Sequence, residues 1–195
     1  MGGVVLRGVS GMIQDFWIRL ADLEDIPKLT TLISESARAL QSDYYSSEQI
    51  EGALGIVFGV DSQLIQDKTY FVAENNRQIV GCGGWSKRKT LYGGDSGKNN
   101  QEDSLLNPDT DSAKIRAFFV HPAWARRGIG SQIMQASELA AERAKFKDAE
   151  IIATLAGEPL YTKFGYQVIE RFEISLQNSQ FLPVVRMFKS FARNL

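Results

Sequence analysis

The chain has 195 residues, 44% hydrophobic and 23% charged, with 22 basic and 23 acidic side chains and a net charge of −1. Those totals describe one globular domain large enough to bury its own core, and the charge balance argues against nucleic-acid binding. A single cysteine, Cys82, excludes an internal disulfide and a single histidine, His121, excludes a multi-histidine site, so no metal is expected.

No apolar run reaches the length of a membrane span, so no membrane partner is expected and the compartment is read as cytoplasmic. Residues 1–14 read as a poorly ordered N-terminal extension and 15–195 as a single domain. Arg7 and the glycines break any signal-peptide pattern, and Leu6 stands where a myristoylation signal needs Ser or Thr. Asp15 to Leu20 reads as a strand, with Phe16, Ile18 and Leu20 alternating against Trp17 and Arg19. Asp22 offers an N-cap and Pro27 lies in the opening turn of a helix. Its apolar face is Ile26, Leu29, Ile33, Ala37 and Leu40. Ser47 opens a second helix through Leu54, and Asp61 to Asp67 reads as another. Tyr70 to Ala73 and Ile79 to Trp85 form a hairpin around Asn75-Asn76.

Lys87 to Ser112 is a long loop rich in Gly, Asn, Asp and Ser, and loops of that length tend to be functional or disordered. Within it Gly93 to Asn99 resembles a phosphate-binding loop but fails the motif at Tyr92 and Asn99; it reads as a flexible turn. Ile115 to Val120 is a buried strand. A helix follows with Ile133, Ala136, Ala140 and Ala144 on one stripe, then a strand at Ile151 to Leu155 and a short helix around Pro159 to Phe164. Gln167 to Leu176 and Val184 to Lys189 are two further strands, read as antiparallel.

The junction between the buried strand and its helix carries the chemistry. Arg126-Arg127-Gly128-Ile129-Gly130-Ser131 is a basic, glycine-punctuated turn feeding a helix N-terminus. The first turn of a helix leaves amides unpaired and at positive potential, and Gly128 and Gly130 clear side chains from their path. This is an anion site suited to a pyrophosphate.

Phe119-Val120-His121-Pro122 followed by Trp124-Ala125-Arg126-Arg127-Gly128-Ile129-Gly130 resembles the acyl-CoA signature of the GCN5-related N-acetyltransferases, Gln/Arg-x-x-Gly-x-Gly/Ala. It departs from that pattern at the first position, where Ala125 stands. Leu160-Tyr161-Thr162-Lys163-Phe164-Gly165-Tyr166 is similar to the family's Phe-Tyr-x-Lys-x-Gly-Phe stretch. The resemblance can be laid over Ile18 to Phe188. It implies an α/β (α+β) fold: a mixed, mostly antiparallel twisted sheet flanked by helices, whose fourth and fifth strands splay. It also implies acetyl-CoA as acyl donor, its pyrophosphate held at Arg126, Arg127, Gly128, Ile129, Gly130 and Ser131. Its pantetheine would pair with the backbone of Phe118, Phe119 and Val120 as an added strand. A backbone amide near Val120 would polarise the thioester carbonyl, and Tyr161 would protonate the departing thiolate. The acceptor would be a primary amine on a small molecule. Homodimerisation is an expectation of the family alone.

Other residues compete less well. Glu158 is the nearest acidic candidate for a base, although a solvated loop carboxylate is the simpler reading. His121 reads as a cap at a strand end and Cys82 as core. Tyr44, Tyr45, Trp85 and Arg116 could line an acceptor pocket or be a mixture of core and surface. Two rival functions remain: a non-catalytic acyl-CoA-binding or sensing module, and, more weakly, a nucleotide-binding enzyme.

Overall fold

A computed structural model describes residues 15–97 and 104–191; the expected N-terminal extension lies outside them. One seven-stranded sheet organises the chain, in the order β1-β2-β3-β4-β5-β7-β6. The strands are β1 (Trp17–Leu20), β2 (Tyr70–Asn75), β3 (Gln78–Ser86), β4 (Ala113–Val120), β5 (Asp148–Thr154), β6 (Gln167–Ser175) and β7 (Phe181–Ser190). The helices are α1 (Ile26–Leu40), α2 (Ser47–Ala53), α3 (Ser62–Gln66), α4 (Ile129–Arg143) and α5 (Glu158–Lys163). Every neighbouring pair of strands is antiparallel except β4 with β5.

Local signals place most boundaries. Ser46 caps α2 by accepting from the Gln49 N–H, and the Gln49 side chain returns a bond to the Ser46 amide, a capping box. Asp61 caps α3 through the Gln63 amide. The β2–β3 hairpin turns at Asn76 and Arg77, φ 45° and 66°, one residue beyond the expected pair; both central residues of such a two-residue turn need positive φ.

Helices α1 to α3 cover one face of the sheet and α4 and α5 the other, as the two main apolar clusters show. On α1 the expected stripe holds, with Leu29, Ile33 and Ala37 buried. On α4 it is displaced: Ala136, Ala140 and Ala144 are only half-buried, and the face on the sheet is Ile129, Ile133, Met134, Ser137 and Ala141. The small residues misled because the close approach is made by the sheet. A Cβ on Gly81 would lie 2.4 Å from the Ile129 side chain, so β3 carries the missing side chain that lets α4 settle.

The parallel pair is short. β4 and β5 are paired at Ala113↔Ala149 and Lys114↔Glu150 and then diverge, while β5 continues on β7 to Thr154↔Val184. At the closed end of this fork the buried Glu150 carboxylate bonds Lys114 and also Arg186, whose Nη2 is 2.6 Å away. Burial pushes the Glu150 pKa up, and the bonds from Lys114 and Arg186 outweigh it and hold the group below its usual value. The contribution is therefore complete above the unfolded value of about 4.3 and is lost as the pH falls through the folded one. Glu150→Gln, which strands a buried Lys114, is expected to lower stability by about 3 kcal/mol at pH 7. Urea unfolding should show the gap between the two proteins closing as the pH drops below about 4; a gap independent of pH would deny the ion cluster its role.

Candidate active site

The divergence of β4 and β5 opens a cleft of about 230 Å³. Phe118, Phe119, Val120, Gly130 and Tyr161 all line it, so the two sequence blocks, far apart along the chain, meet at one cavity.

β4 reaches the cleft irregularly. Ala117 has φ 58°, and the β3–β4 register slips between Cys82 and Gly84, a bulge that flips the phase of the strand. Ile115 and Phe118, three apart, consequently pack on the same cluster, whereas Phe119 joins the α1 side. The hydroxyl of the fully buried Tyr70 donates to the Ala117 carbonyl at 2.9 Å and holds the bulge from behind. A Cβ on Gly83 would lie 2.8 Å from the Phe118 ring, so the ring lies flat over β3. Phe118 then meets Tyr161 edge to face, centroids 6.0 Å apart. The Val120 N–H, expected to face a thioester carbonyl, donates to Ser36 Oγ at 3.2 Å. Ser36 also lines the cleft, so that amide is already engaged by a hydroxyl.

The basic turn sits at one mouth. Gly128 has φ 84° and caps α4 without a side chain, a backbone state glycine occupies freely. The first bond of the helix runs from the Gln132 N–H to the Gly128 carbonyl, so the amides of Ile129, Gly130 and Ser131 precede the ladder, at the positive end of a 15-residue helix. Arg127 stacks on Trp124, 4.9 Å from the ring centroid, and Arg126 is exposed.

Tyr161 is buried, and burial alone raises its phenol pKa far above the ordinary value. The His121 Nδ1 accepts from the Ala123 N–H at 3.1 Å, the capping bond expected of it, and its Nε2 is 3.5 Å from Glu35. Cys82 is fully buried, its thiol pushed up to about 12 by desolvation. Glu158 is held by Arg171 at 2.6 Å.

The far wall of the cleft was less legible. Of the four residues weighed for it, only Arg116 is there. Trp85 packs on Phe146 in the core and Tyr44 is exposed. Tyr45 is buried, its hydroxyl donating to the Pro183 carbonyl at 2.7 Å and accepting from the Leu155 N–H at 2.9 Å. That phenol, pushed up to about 12 by burial, is a strut. Arg116 itself pairs with the buried Asp61 at 2.8 Å and donates to the Gly93 carbonyl at 2.5 Å. The wall is completed by Gln41, Val57, Phe58, Leu91 and Tyr92, none of which was singled out beforehand. The turn expected to be flexible is anchored where described: the Gly94 and Asp95 amides donate to the Ile56 and Val60 carbonyls, each at 2.8 Å. Lys98 and Asn99 lie outside the described residues.

A sheet forked beside a glycine-capped helix N-terminus is the arrangement expected of an acetyltransferase of the GCN5-related kind, and the comparisons agree on the family. The acetyltransferase (GNAT) domain matches residues 66–168. The chain belongs to that family. Among solved structures it is similar to a GCN5-related N-acetyltransferase from Rhodopseudomonas palustris at 20% identity and TM-score 0.67, over 93% of this chain and 100% of that one. It is also similar to the PaiA N-acetyltransferase from Thermoplasma acidophilum in complex with coenzyme A, at 14% identity and TM-score 0.60, over 90% and 99% of the two chains. A third is a GNAT family acetyltransferase from Brucella melitensis in complex with acetyl-CoA, at 15% identity and TM-score 0.55, over 92% and 90%. No curated protein matches the sequence.

If Tyr45 is a strut, Tyr45→Phe leaves the Leu155 amide and Pro183 carbonyl unpaired. A loss of about 2–4 kcal/mol is expected, read as a lower urea midpoint at unchanged slope; an unchanged midpoint would return Tyr45 to the list of ligand-facing residues.

Proposed function

We propose that the protein transfers an acetyl group from acetyl-CoA to a primary amine by direct attack. The observation that carries this reading is the fork itself: one cleft lined by the free stretch of β4, the start of α4 and Tyr161. Phe118, Phe119 and Val120 offer main-chain groups to the pantetheine, which completes the fork as a strand would. Arg126, Arg127, Gly128, Ile129, Gly130 and Ser131 form the pyrophosphate site, in which backbone amides and the helix dipole do the binding and Arg126 adds attraction.

In the reaction the amine lone pair adds to the thioester carbonyl, the new C–N bond forms, and the C–S bond breaks as the tetrahedral adduct collapses. The nitrogen releases its proton to solvent, and Tyr161 gives its phenolic proton to sulfur and regains one from water. Burial keeps the phenol protonated across the accessible pH range, and the same dry surroundings make the nascent thiolate a stronger base. The Ser36 hydroxyl, which accepts from the Val120 amide and belongs to a lining residue, would donate to the carbonyl oxygen as negative charge develops there.

A non-catalytic acyl-CoA-binding role is favoured by one observation: among the described residues no Asp or Glu lines the cleft, so none serves as base. A deprotonated amine needs none.

Calorimetric titration with acetyl-CoA is expected to show saturable binding that Gly128→Glu abolishes, and no binding by the wild type would sink the proposal. Tyr161→Phe is expected to keep acetyl-CoA affinity and lose about 100-fold in kcat. Full turnover by that variant would remove Tyr161 from the chemistry, and acetyl-CoA binding without thiol release in the presence of any amine would establish the binding module.

A further inference from the structure

Resting on the transferase reading, the walls of the cleft also specify the acceptor. On the side away from α4 they are mostly apolar, with Leu40, Val57, Phe58, Leu91 and Val184 outnumbering the polar side chains of Ser36, Gln41 and Tyr92. Arg116 is the one charged side chain lining the cleft among the described residues, and its charge is met by Asp61, itself fully buried and outside the lining. A second ammonium or guanidinium on the acceptor would find no counter-ion there, and an unpaired buried cation is costly. A carboxylate on the acceptor would have to compete with Asp61 for Arg116.

Of these polar side chains, Gln41 is the one with a buried atom left without a partner. Gln41 is 8% exposed, lines the cleft, and has its side-chain Oε1 buried without a hydrogen-bond partner. A buried carbonyl oxygen left unpaired costs folding free energy, and an N–H donor in the cleft would relieve it. Leu40 and Gln41 also end α1, so the negative end of that helix dipole lies at the same wall and favours a positively charged nitrogen. We infer that the acceptor is a primary monoamine on an apolar body, aromatic or branched aliphatic, with Gln41 Oε1 receiving one of its N–H groups.

The test is thiol release from acetyl-CoA with 2-phenylethylamine and 3-methylbutylamine, against putrescine, agmatine and phenylalanine. The two monoamines are expected to exceed the others in kcat/KM by about 100-fold, the effect of leaving one charge unmatched. Gln41→Leu is expected to raise the monoamine KM about tenfold at unchanged acetyl-CoA affinity. The variant should also unfold no more easily than the wild type, because Oε1 has no partner to lose; an amide with a structural role would destabilise the protein instead. Gln41→Glu, which keeps an acceptor oxygen, should restore the monoamine KM and admit putrescine. Equal or better turnover of putrescine, agmatine or phenylalanine, or a Gln41→Leu KM equal to the wild type, would overturn the inference while leaving the transferase reading intact. Silence with every amine despite acetyl-CoA binding would overturn both.

Discussion

Two rungs of parallel pairing, Ala113 with Ala149 and Lys114 with Glu150, are the constraint on which the rest of this structure depends. Longer pairing would close the sheet and leave no cleft; none at all would separate the two halves of the sheet. Glu150 secures the joint because it ties β4, β5 and β7 through Lys114 and Arg186. Beyond the joint each prong is held from behind by a tyrosine. Tyr70 fixes the Ala117 bulge on β4, and Tyr45 occupies the amide that follows β5. Neither prong therefore needs the other, and an open sheet interior, with backbone groups that normally demand partners, persists in a folded protein.

Helix ends divide the cleft electrically. The N-terminus of α4 presents positive potential at one mouth, and the C-terminus of α1 presents negative potential at the opposite wall. The gradient favours anionic groups at one mouth and cationic groups at the opposite wall. It is built from backbone dipoles, so it does not vary with pH. The Arg116–Asp61 pair contributes structure to this arrangement more than field. It joins β4 to the cap of α3 and to the Gly93 loop, and so ties the far wall of the cleft to the strand.

What could be read from the sequence was the part whose physics is local. Turn chemistry at Gly128, strand periodicity before it and the polar residues opening α2 and α3 located those elements. By contrast, Asp22 caps a short turn ahead of α1, whose own cap is Asp25, and β5 and β7 each begin three residues before their expected starts. The family resemblance pointed to Phe118 and Tyr161. The far wall resisted because its members are ordinary core and loop types: nothing near Gln41 along the chain marks its Oε1 as unpartnered, and Tyr45 resembles a ligand-facing tyrosine until Leu155 and Pro183 are brought to it. The alanine stripe on α4 failed for a related reason. Smallness on a helix signals close packing only when the partner is bulky, and here β3 is the slender partner at Gly81.

The sheet order has a consequence for the timing of assembly. β7 lies between β5 and β6, and it is made after both. Until it is threaded into place, β5 holds only its two rungs with β4, and Glu150 lacks Arg186. Long-range pairing of this kind is entropically late. A growing chain can thus form α1, the β2–β3 hairpin and the β4–α4 junction early, but the cleft acquires its second side only once β7 is made. A truncated or stalled product would carry the glycine-capped start of α4 without the fork beside it.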